Sequence, residues 1–160
     1  MIENQNSFDF KAVSNIDDRT RLSFIMQRSY DDPDKRGGGI VLGENYEVET
    51  FTPVTNDLGA FDIHEFNILD GGKTALATVY RPENMQWSSL GRRNEQGWVL
   101  TGGFEELEVS TGKVLFEWSS LNHIPLSESN ANVPEVAPSD SPGWDYMYVT
   151  SSWWLRLCGY

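Results

Sequence analysis

Glu65-Phe66-Asn67-Ile68-Leu69-Asp70-Gly71-Gly72-Lys73-Thr74-Ala75-Leu76 decides the fold class of this chain. Phe66 and Ile68 alternate with polar Asn67, a polar glycine-containing turn follows, and a second apolar run opens at Ala75. That is strand, tight turn, strand. Glu106-Leu107-Glu108-Val109-Ser110-Thr111-Gly112-Lys113-Val114-Leu115 repeats the plan around a second Gly-Lys turn. The two hairpins lie about forty residues apart, close to the period of a four-stranded propeller blade. Gly-Lys turns join many hairpins, so the repeat by itself establishes antiparallel pairing and no more.

Outward from these hairpins, short apolar runs keep alternating with turn clusters, the pattern of an all-β protein. Strands are predicted over 22–27, 39–42, 46–52, 63–69, 74–80, 104–109 and 114–119. Tyr30-Asp31-Asp32-Pro33-Asp34, Gly43-Glu44-Asn45, Asp70-Gly71-Gly72-Lys73 and Ser110-Thr111-Gly112-Lys113 supply the turns. No segment reads as an amphipathic helix. From 119 to 143 the chain is rich in Ser, Pro, Asn and Asp, a long irregular loop of the kind that carries function or disorder. It closes on Trp144-Asp145-Tyr146-Met147-Tyr148-Val149-Thr150-Ser151, a candidate strand.

The chain has 160 residues, the length of one ordinary domain or a piece of a larger one, and its 39% hydrophobic content suffices for a core. Six Trp, six Tyr and eight Phe beside fourteen Gly again favour β structure. A formal charge of −12 disfavours nucleic acid and anionic membranes as partners, since both require a basic footprint. A small anion can still bind locally, because surface charge is screened beyond roughly 8 Å at physiological salt. The apolar runs are too short to span a bilayer, and Met1-Ile2-Glu3-Asn4-Gln5-Asn6 has neither the basic start nor the apolar stretch of a signal peptide. Cys158 is the single cysteine, so no internal disulfide forms and the compartment stays open. Two histidines and one cysteine make a transition-metal site a poor expectation.

His64 is one of those two histidines. The strand reading places it mid-strand, on the face of Phe66 and Ile68, where a rigidly held imidazole can serve as acid, base, nucleophile or donor. A histidine on a strand is commonly just a packed residue. Glu65 points to the opposite face and is a poor orienter for the ring. His123, ahead of Ile124-Pro125, reads as a loop anchor. Asp31, Asp32 and Asp34 lack the spacing of a calcium loop, and Ser127-Glu128-Ser129 contains no nucleophile motif. Trp87, Trp98, Trp118 and Trp144 can stack on aryl or sugar rings, although most Trp in a β protein are packing residues. Arg92-Arg93 is a basic spot in an acidic chain, and an exposed loop is its default reading.

A series of segments, in this order, resembles the arylsulfotransferase-like family found largely in fungi and related to bacterial arylsulfate sulfotransferases. It begins with Asp62-Ile63-His64-Glu65-Phe66 and Gly72-Lys73-Thr74-Ala75-Leu76-Ala77-Thr78-Val79-Tyr80. It runs on through Gly97-Trp98-Val99-Leu100 and Phe104 to Trp118, then His123-Ile124-Pro125-Leu126-Ser127-Glu128-Ser129 and Trp144-Asp145-Tyr146. The resemblance covers about 22–151 and implies a fragment, two to three four-stranded antiparallel blades, of a six-bladed β-propeller. Residues 1–21 are then an N-terminal extension or incomplete blade, and 152–160 a divergent tail that looks as if an intron had been read through. Family chemistry is transfer of a sulfuryl group from an aryl sulfate to a phenol through a sulfated histidine, without a cofactor.

The resemblance makes His64 a channel residue that donates to sulfuryl oxygens. The histidine that becomes sulfated belongs to a later blade and has no match here. After Trp-Asp-Tyr the family typically continues Phe-His-Ile-Asn-Ser, whereas this chain reads Met147-Tyr148-Val149-Thr150-Ser151. Tyr148 and Thr150 therefore occupy the places of the channel His and Asn, with Trp144 beside them as a substrate contact. The family's channel arginine is also unmatched. The expectation is an arylsulfotransferase-like chain without activity of its own, whose open blade edges invite self-association. The alternative is a non-catalytic β module that binds a ligand or partner. Family members are often secreted.

Overall fold

The computed structural model describes residues 6–16, 19–27, 37–53 and 62–149. Strands β1 (Asn6–Ile16), β2 (Arg19–Gln27), β3 (Gly38–Leu42) and β4 (Val48–Pro53) form one sheet in chain order. Strands β5 (Phe66–Leu69), β6 (Thr74–Gln86), β7 (Gln96–Glu108) and β8 (Val114–Ser119) form a second in the same way. A short β9 (Trp144–Asp145) adds to β7 in parallel, with Val99 opposite Trp144. Helical structure among the described residues is confined to short 3-10 turns. The protein is all-β, and each four-stranded meander has the strand order of a propeller blade.

Both Gly-Lys hairpins form. At the first turn Asp70, Gly71 and Gly72 all take positive φ, and at the second Gly112 does. Glycine enters that region without steric cost and Asp tolerates it, so these residues reverse the chain there. Other strand limits differ from the sequence reading. The strand expected over 63–69 begins only at Phe66, the one expected over 46–52 begins at Val48, and those expected over 74–80 and 104–109 extend to Gln86 and back to Gln96. Residues 6–16, read as part of an extension or incomplete blade, form β1 and pair with β2.

Two compact units result. The first takes the described residues up to Val79 together with Phe104–Glu117, and the second takes Tyr80–Gly103 and Trp118–Val149.

In the first unit, Val13, Ile25 and Val41 from one sheet bury against Phe66, Ile68, Ala75, Ala77, Leu107 and Val109. Each large apolar side chain buried here contributes about 1.5–3 kcal/mol. Period-two alternation selects them: Phe66 and Ile68 are buried while Asn67 and Leu69 are half-buried. Gly39 lets the chain approach closely, since a Cβ there would lie 2.3 Å from the Phe66 ring. Thr52 Oγ1 donates to the Val109 carbonyl at 2.8 Å, satisfying a buried hydroxyl. Arg21 is buried with its charge matched, Nε at 2.5 Å from Glu49 and Nη1 donating to the Ile16 carbonyl at 2.8 Å.

The second unit centres on Trp87, Val99, Leu126, Trp144 and Tyr146. The long polar loop is tied down rather than free. Leu126 and Ala137 pack into this core, Trp98 N–H donates to the Pro138 carbonyl at 2.9 Å, and Arg92 Nη2 donates to the Pro134 carbonyl at 2.8 Å. Arg92 also lies over the Trp87 ring, 5.5 Å from its centre. The basic spot thus belongs partly to packing. Tyr146 is buried with its hydroxyl donating to Ser120 Oγ at 2.8 Å. Burial pushes its hydroxyl above the ordinary tyrosine range, the Ser120 hydrogen bond opposes that, and nearby Glu83 adds to it.

Candidate functional site

His64 is not on a strand. It sits in the bend between Asp62 and Phe66, because Asp62 competes for the backbone: its Oδ1 accepts from the His64 N–H at 3.0 Å. A side-chain oxygen bonding two residues ahead makes a local turn and delays the strand. The same oxygen is 2.9 Å from His64 Nδ1 and also accepts from the Thr78 hydroxyl on β6. Thr78 Oγ1 in turn accepts from the Glu65 N–H at 3.2 Å, and Thr78 N–H donates to the Glu65 carbonyl at 3.3 Å. Asp62, two residues before the histidine, is therefore the orienter of the ring. Asp-x-His is the signal that locates it, and Thr78 carried none.

A second set of contacts fixes the end of the bend. Phe66 N–H donates to Asp9 Oδ2 at 2.7 Å, and Lys11 Nζ lies 2.8 Å from that oxygen and 3.9 Å from Glu65 Oε1. The Glu65 side chain is buried and His64 retains 24% of its side-chain surface. Nδ1 is thus the ring nitrogen held by Asp62. In the imidazolium, Nε2 is a donor suited to an anionic oxygen.

The other candidates fall in the second unit or outside the described residues. Tyr148 is 62% exposed, and its ring lies 6.2 Å from that of Tyr80. The Tyr80 hydroxyl donates to the Val149 carbonyl at 2.8 Å and accepts from the Val149 N–H at 2.7 Å, clamping the segment that carries Tyr148. Thr150 lies outside the described residues, as do Asp31, Asp32 and Asp34. Trp144 is 7% exposed and packs its ring against Trp87 and Tyr146. His123 is exposed and stacks on Trp118, with ring centres 5.2 Å apart and planes 4° from parallel.

Among the described residues no cluster of His, Cys, Asp and Glu has the makings of a metal site. None of their helices is long and apolar enough to cross a membrane, which leaves strand-based spanning untouched. No curated protein and no solved structure matches the chain. The family model described as Arylsulfotransferase (ASST) matches residues 42–151, more than half of the chain, and that span contains Asp62, His64, Thr78, Tyr80, Trp144 and Tyr148. The chain belongs to the arylsulfotransferase family.

Proposed function

We propose that this chain supplies part of the sulfuryl-binding channel of an arylsulfotransferase-type β-propeller, with His64 as an oxygen-contacting donor. The observation that carries the reading is the Asp62–His64 pair, within the family-matched span, holding Nδ1 and directing the chemistry to Nε2. In sulfuryl transfer the S–O bond to the departing phenolate breaks while a nucleophile bonds to sulfur. Negative charge must be met by fixed donors throughout. A histidine ring anchored through Nδ1 meets that need without reorganising. In sequence, Tyr148 and Thr150 match the places that the family fills with His and Asn, and each side chain carries a hydroxyl. Trp144, called a substrate contact from the resemblance, is buried with its ring against Trp87 and Tyr146.

Neither of the two histidines matches the family's sulfated one, so the chain has no turnover by itself. The test is incubation with p-nitrophenyl sulfate and a phenol acceptor, while the histidine ring resonances are followed by NMR. The expected result is a ligand-dependent shift of the His64 resonances and no nitrophenol release. Release lost in His64→Ala would overturn the inactive reading. Unmoved His64 resonances at saturating ligand would overturn the sulfuryl-binding one. A non-catalytic binding module is favoured if an unrelated aryl ligand shifts them equally.

A further inference from the structure

The residues that pin His64 do not all lie in the family-matched span. Strand β1 breaks its register with β2 between Phe8 and Lys11. At this bulge Asp9 takes φ of 51°, a left-handed conformation uncommon outside glycine and tolerated best by Asp and Asn. The bulge turns the Asp9 carboxylate onto the Phe66 N–H, and Lys11 on the same strand neutralises it at 2.8 Å. An ordinary β1 would keep residue 9 in register with β2, without the bulge that re-aims its side chain toward Phe66.

We propose that Asp9, held by Lys11, is a positioning residue for His64. The bend has two anchors. Thr78 of β6 grips Glu65 through both its hydroxyl and its amide, and Asp9 of β1 grips the next residue, Phe66. With Glu65 and Phe66 fixed from different strands, the two preceding residues have little backbone freedom. Asp62 is then left facing the His64 ring. Without Asp9 the Phe66 N–H loses its charged acceptor, the start of β5 loosens, and the Asp62–His64 geometry loosens with it. Lys11 contributes by pairing with both carboxylates at the end of the bend, Asp9 at 2.8 Å and buried Glu65 at 3.9 Å.

The chain's two histidines make this measurable without any activity. In histidine-labelled protein, two-bond proton–nitrogen correlations separate a fixed Nδ1–H tautomer from an averaging ring. His123→Gln assigns the two rings. The expected result is a fixed Nδ1–H pattern for His64 in the wild type. In Asp9→Ala it gives way to the averaged pattern, while His123 is unchanged. In Asp9→Asn, whose carboxamide oxygen still accepts from Phe66, the fixed pattern returns. If Asp9→Ala does not fold, Lys11→Met decides, with partial averaging expected at His64. An unaltered His64 pattern in folded Asp9→Ala, or in Lys11→Met when that variant must stand in, overturns the proposal. The proposal borrows from the functional reading only that His64 is the working side chain. If p-nitrophenyl sulfate leaves the wild-type ring unmoved while Asp9→Ala still averages it, the functional reading falls and the positioning role stands.

Discussion

Thr78 is the joint on which the His64 bend turns, since one hydroxyl donates to Asp62 and accepts from Glu65. Valine has nearly the same shape and no hydroxyl. Thr78→Val therefore strands a buried Glu65 N–H, and stability should fall by about 1–3 kcal/mol. Urea denaturation with an unchanged m-value measures the loss. A shift under a few tenths of a kcal/mol would show that the joint carries no weight. At this scale the sequence disclosed His64 by rarity and by the motif around it. It hid the histidine's environment, because an Asx turn differs from a strand by one side-chain hydrogen bond that alternation of apolar residues does not register. Thr78 sits in an apolar run where a threonine passes as a β-branched strand residue. Asp9 sits where nothing marks a bulge.

Among elements, the hairpins were legible because their turns use residues that reverse the chain for stated conformational reasons. Strand β7 was only half legible. Its first half runs through Gly97, Gly102 and Gly103, which read as breakers. Gly103 is instead required, since a Cβ there would stand 2.2 Å from the Trp118 carbonyl oxygen. Strand β1 was missed as a strand because Asp9, Lys11, Ser14 and Asn15 interrupt its apolar pattern. The segment after β9 has its own fastener. Tyr80 uses a single hydroxyl to satisfy both the N–H and the carbonyl of Val149. Tyr80→Phe removes both bonds, and native-state exchange of the Val149 amide should speed by roughly 10-fold or more. Exchange at the wild-type rate would place the hold on this segment elsewhere.

Across the whole molecule, the all-β class and the four-stranded plan followed from pattern, whereas which strands share a core did not, because contacts between sheets leave no local signature. Tyr146 gives the fold an alkaline limit. Its folded pKa lies above the ordinary tyrosine value of about 10, so in that range the unfolded chain releases the proton first and stability falls as pH rises. Below that range both states are protonated and the contribution is constant. Tyr146→Phe should lose about 1 kcal/mol near neutrality with the Ser120 bond, and should decline less steeply above pH 10 than the wild type. Parallel stability–pH curves for the two proteins would refute this. The buried core of the first unit has a consequence for anyone dividing the chain. A segment cut at the start of the family match would keep Phe66, Ile68 and Leu107 and discard Val13, Ile25 and Val41, which cover them. It would also strip β4 of β3, the strand it pairs with. The stretch that sequence comparison recognises is thus shorter than the stretch that has to fold together, and an expression boundary belongs ahead of β1.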